Sequence, residues 1–175
     1  MPSNQTFASL KREFFSDDSK VALAAADKLS ELRGPEVIEF LIQVLESPDV
    51  WRRNNAALAL HDIGNNQALE PLFQAIQNPL NVNHRGTMVY ALESLDCSQK
   101  LPELFDLLFY GNAEVKMGAE TVLDEQIFEF STDDLHIIQS KWDDLQQHPE
   151  KSPDFSGCKD AIQHFVEGFT SYLND

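Results

Sequence analysis

Basic residues are scarce in this chain: 13 Lys and Arg stand against 29 Asp and Glu, a formal net charge of -16. Such a surface repels phosphate backbones, which excludes nucleic acid as a partner. Cysteines are few as well. Cys97 and Cys158 have neither a CxxC pair nor histidines at metal-ligand spacing, so both are read as packed thiols. No run approaches the roughly 18 to 20 apolar residues of a membrane span, and the N-terminal residues up to Glu13 lack an apolar signal core. The expectation is a cytoplasmic protein without a membrane partner. Nucleophile motifs, glycine-rich phosphate loops and metal-binding helix patterns are missing too. The histidines His61, His84, His136, His148 and His164 do not cluster in the sequence, and His61-Asp62 is a single pair without a mate. No catalytic residue, cofactor or metal is expected.

What the chain does contain is a repeat. The segment Arg53-x-x-Ala56-Ala57-x-Ala59-Leu60-x-x-Ile63-Gly64, followed by Ala68-Leu69-x-Pro71-Leu72-Phe73-x-Ala75-Ile76, reads as helix, tight turn, helix. Its alanines let helices approach closely, and Gly64 suits a left-handed helix end. A shift of 32 residues places Arg85, Met88, Val89, Ala91, Leu92 and Leu95 on the first helix, and Leu101, Leu104, Phe105, Leu107 and Leu108 on the second. A shift of 31 residues back does the same for Ala25, Ala26, Leu29 and Leu32, then Ile38, Leu41 and Leu45. A divergent fourth copy has Lys116, Ala119, Val122 and Leu123 in register, with Glu120 where a small apolar residue stood. Terminal units of a repeat array need caps. Phe7, Leu10 and Phe14 supply an apolar stripe at the front. At the back, Thr132 is expected to cap a helix bearing Leu135, Ile138, Trp142 and Leu145. A last helix from about Gly157 to Leu173 offers Ala161, Ile162, Phe165, Phe169 and Tyr172 for burial.

These residues resemble the HEAT repeat, and the style of the second copy is similar to that of phycobilisome-lyase-type HEAT-like repeats. The resemblance implies an all-α fold, a short right-handed α-solenoid of helical hairpins with helical caps, as one domain over 1-175. Its parts are an N-terminal capping helix (1-16), four repeats (17-47, 48-78, 79-111, 112-145), a loop (146-156) and a C-terminal capping helix (157-175). It also implies a polar ladder between neighbouring hairpins. Asp18, Asp49, Asn81 and Asn112 stand at its first position, and Arg53, Arg85 and Lys116 at its second, so structural duty is the favoured reading of Arg53 and Arg85. Trp51 is expected to seal the seam between repeats.

In a HEAT stack the second helices line the concave face. The resemblance thereby places Gln43, Gln74 and Asp106 along a groove, with Glu39, Glu70 and Glu103 nearby and Tyr110 as an aromatic anchor at its end. Phe109 and Tyr110 have an alternative role, closing the core and covering the hairpin. A second candidate surface is the acidic stretch of Asp124, Glu125, Glu129, Asp133, Asp134, Asp143 and Asp144, opposed only by Lys141, which a basic partner would relieve. The function expected is a non-enzymatic protein-binding module, in its most specific form an inhibitor or immunity-type protein that masks a basic partner. A bilin-lyase-like enzyme or chaperone and an assembly scaffold stand as alternatives. HEAT-like DNA glycosylases need a basic face, which this charge excludes.

Overall fold

The computed structural model describes residues 4-174. The outermost ends of both expected capping segments lie outside the described residues. Helices are the only regular elements among those residues, and they form two compact units, one ending at Asp96 and one beginning at Cys97.

The first unit contains α1 (Asn4–Phe14), α2 (Ser19–Leu32), α3 (Pro35–Val44), α4 (Val50–Ile63), α5 (Leu69–Gln77) and α6 (Gly86–Tyr90). Two of its helix starts are built alike. Ser16 and Ser47 accept hydrogen bonds from the backbone N–H of Asp18 and Asp49, each at 3.2 Å. Those aspartates in turn accept from Lys20 N at 2.9 Å and Arg52 N at 3.2 Å, satisfying donors that a helix start leaves free. Pro35 opens α3, where its missing N–H costs nothing. Gly64 ends α4 at φ 63°, the left-handed conformation expected of it.

The core of this unit is organised around α4, which packs against α2, α3 and α6. Ala56, Ala57, Ala59 and Leu60 are at most 2% exposed, as are Ala25, Ala26 and Leu29 on α2. The cap α1 lies on α2, with Leu10 and Phe14 buried and Phe7 set edge-on to Phe40 at 6.0 Å. The third copy keeps its buried set but not its helix. Met88, Val89, Ala91, Leu92 and Leu95 are all buried. Yet α6 is short and tightens into a 3-10 turn over Ala91–Ser94, where the Ser94 hydroxyl donates to Ala91 O at 3.3 Å. A hydroxyl bonded back to its own turn competes with continuing the helix.

The second unit contains α7 (Leu101–Tyr110), α8 (Ala113–Glu125), α9 (Thr132–Gln147) and α10 (Phe155–Thr170). Helix α7 packs against α8 and α9, and α10 against α9. Leu104, Phe105, Leu108 and Phe109 of α7 are wholly buried, so Phe109 is a core residue. Its ring stacks on Trp142 at 6.4 Å, and Phe105 meets Phe169 of α10 edge-on at 5.6 Å. Ser131, not Thr132, caps α9, because its hydroxyl accepts from Asp134 N and leaves Thr132 as the first helical residue. Helix α10 begins two residues before Gly157, and its buried residues are Ile162 and Val166. Ala161 lies one position off that stripe and is exposed, and Tyr172 is 59% exposed beside Phe130.

The expected polar ladder takes a different form. Asp18, Asp49 and Asn112 cap the starts of their own helices. Asn81 is buried and donates to Ala75 O at 2.8 Å. Arg53 is 3% exposed and donates to Ser47 O at 2.6 Å, while its Nε has no partner. The Arg85 Nε is likewise without a partner, and burial pushes that guanidinium below its ordinary value. Lys116, 4% exposed, reaches the loop after α9 and donates to Ser152 Oγ at 2.7 Å and Pro153 O at 2.5 Å.

Two substitutions test these joints. A methyl group at Gly111 would strike Leu107 O and the Val115 side chain, so Gly111→Ala is expected to destabilise by about 3 kcal/mol or more in denaturant unfolding. Lys116→Met keeps the length but strands Ser152 and the Pro153 carbonyl. It should cost about 1-3 kcal/mol and speed proteolysis within residues 149-154.

Candidate functional site

On α7, Glu103, Asp106 and Tyr110 recur at helical spacing, and none of the three is fully buried. Across from them α9 offers Lys141 and Asp144, and the turn after α9 adds His148 and Lys151. Lys141 Nζ lies 2.5 Å from Asp106 Oδ1. Lys151 Nζ lies 2.6 Å from Asp144 Oδ2, and the His148 ring nitrogens lie 4.0 Å from Asp144 and 3.4 Å from Glu150. Hydrogen bonding to Lys151 holds the Asp144 carboxyl below its ordinary range and raises the Lys151 ammonium in return. Tyr110 is packed edge-on against Phe109, and its phenol is pushed up first by burial and then by the Asp106 charge. The result is a half-buried phenol framed by oriented charges of both signs. Such a surface suits recognition by hydrogen bonds and charge.

The other sequence-derived candidates divide between the units. Glu39 and Gln43 are exposed on α3, one turn apart, and Glu70 and Gln74 are exposed on α5 with the same spacing. Gln74 lines an open cleft of about 380 Å³ together with Glu46 and Asn78. In the second unit Glu103 pairs with Lys100 at 3.4 Å, and Glu129 accepts from Gln99 at 2.9 Å. Asp124 and Glu125 are exposed in the last turn of α8. Asp143, near the end of α9, accepts from Gln139 at 2.8 Å. Asp133 and Asp134 occupy the first turn of α9, where the helix dipole favours them. Asp106, Tyr110 and Asp144 are therefore brought together, whereas Asp133 and Asp134 serve the start of a helix.

Sequence reasoning passed over Lys151 and His148, which read as loop residues. Their only signal was spacing: a turn at Pro149–Lys151 returns the chain onto Asp144. It also misjudged Trp51. Helix α4 begins at Val50, so Trp51 points away from the buried Ala56 and Leu60 face and is 71% exposed rather than sealing a seam. Among the described residues no three of His, Cys, Asp and Glu converge as a metal-binding group, and no helix is long and apolar enough to cross a membrane.

The start of α9 carries a pH signature. The Ser131 N–H and hydroxyl both donate to Asp134 at 2.8 Å, which holds that carboxyl below its ordinary range. The stability it contributes is complete above the unfolded value of roughly 4 and is lost as pH falls through the lowered one. Asp134→Asn should therefore lower the thermal midpoint at neutral pH and converge with the parent in strong acid. Ser131→Ala should cost about 1 kcal/mol in denaturant unfolding near neutral pH.

No curated protein matches the chain. A family model for HEAT repeats matches residues 8–81. That stretch takes in most of α1 and the hairpins α2-α3 and α4-α5, with their Asp-capped first helices and alanine-lined contacts. Residues 8–81 thus match the HEAT-repeat family in sequence.

Proposed function

We propose that this protein is a non-enzymatic binding module whose second unit engages a basic protein, in the manner of an inhibitor or immunity-type protein. HEAT repeats generally mediate protein–protein interaction, and the charge distribution narrows the partner. From Cys97 onward the chain holds 16 acidic against 5 basic residues.

The observation that carries the reading is where some of these acids sit. Asp124 and Glu125 in α8, and Asp144 in α9, occupy last turns that contain no Lys or Arg. A helix C-terminus is the negative end of its dipole, so carboxylates there oppose the fold. Asp144 is offset by Lys151, while Asp124 and Glu125 lie exposed at the end of α8. A basic surface brought against that end would neutralise a cost the isolated unit carries. Tyr110, framed by Asp106 and Asp144, supplies an aromatic contact of the kind that concentrates binding energy.

The test separates stability from binding. The double variant Asp124→Asn, Glu125→Gln should be more stable than the parent by about 0.5 kcal/mol, because the dipole is relieved. The same variant should bind the basic partner more weakly, and salt should weaken the parent complex by roughly tenfold between dilute and physiological buffer. A complex indifferent to both changes would refute the proposal.

A further inference from the structure

The starts of α2 and α4 enclose a cleft of about 250 Å³ in the first unit. On one wall stands Trp51, 71% exposed, and one helical turn further along the same face is Asn55. Asp17 and Asp49 lie at the rim. Asn55 is only 5% exposed and lines the cleft, and no side-chain hydrogen bond joins it to another described residue. Its carboxamide is not one of the fully enclosed polar atoms that lack a partner, so it meets the solvent of the cleft and is open to a ligand that enters.

The residues around it define what that is. A carboxamide donates and accepts at once, which matches the N–H and C=O of one peptide unit. The exposed indole face receives an alkyl stem and the cation at its end. The Asp49 carboxylate already caps α4 and lies 3.6 Å from Arg52 Nε, while the Arg52 guanidinium is drawn over the Phe15 ring at 5.1 Å. Asp17 adds a second carboxylate, so the rim keeps a net negative charge. The volume is below the ~300 Å³ at which small-molecule sites begin and is suited to one side chain.

We propose that this cleft is a docking site for an extended segment of a partner protein bearing a lysine or arginine. Asn55 holds the segment's backbone and Trp51 its basic side chain. The inference rests on the reading of the protein as a binder of basic proteins, but it places a contact in the first unit, on residues other than the carboxylates of α8 and α9.

The experiment is a titration of the full-length, isotope-labelled chain with blocked pentalysine, and with pentaglutamate as control, followed by NMR. Pentalysine should shift the Asn55 side-chain amide and the Trp51 indole N–H, and pentaglutamate should not. Asn55→Leu, which replaces the carboxamide with an apolar group of similar size, should weaken pentalysine binding roughly tenfold. Trp51→Ala, a surface change, should weaken binding likewise and keeps the test decisive if the Asn55 variant does not fold. Shifts confined to residues 106-151, or binding unchanged in the Trp51 variant, would overturn the site and leave the acidic-surface reading standing. No shift anywhere would overturn both.

Discussion

The close approach of helices at α4 is the constraint on which the first unit depends. A helix that touches neighbours on three sides has no room for large side chains on those faces, and α4 meets this with Ala56, Ala57 and Ala59. It is consequently buried around much of its circumference, with Arg53 and Asn55 among its enclosed residues. Polar groups inside such a helix must be satisfied locally or open onto solvent. Arg53 bonds to Ser47 O while its Nε is left without a partner, and Asn55 lines the cleft beside Trp51.

Packing of apolar faces fixes which helices meet, but it leaves the hairpin turns with backbone groups to satisfy. They are joined by hydrogen bonds at a recurring separation. Arg33 donates to Asp62 O, and Asn66 exchanges two bonds with the Asp96 backbone. In the second unit Cys97 N donates to Gln126 Oε1, and Glu129 N to Ser98 O at 2.9 Å. These sequence separations lie between 29 and 31 residues, close to the 31- and 32-residue repeat shifts. One turn thus sets the height of the next within its unit, independently of the apolar core.

Most of the helical order was legible because apolar spacing and start signals agree. Asp18, Asp49 and Gly64 announce their helix ends, and the buried sets of copies one to three fall where the period puts them. The signal weakened where a long-range contact, not a local preference, chose the outcome. Lys116 was expected in the polar ladder between hairpins, and instead a loop 36 residues later accepts its hydrogen bond. The cluster at Asp106, Tyr110 and Asp144 was legible as separate residues, but Lys151 and His148 joined it only through the turn at Pro149–Lys151. Trp51 was misread because aromatic residues at repeat junctions are commonly buried. Its direction followed from the helix beginning one residue earlier, a difference too fine for sequence patterns to resolve.

The acid-ended helices of the second unit make its stability a property of its surroundings. Dissolved salt screens the repulsion between these carboxylates and the negative helix ends, so ionic strength shifts the folding equilibrium. A melting temperature measured in one buffer therefore reports the unit together with its ion atmosphere. Comparisons between preparations have meaning only when counterion identity and concentration are held constant.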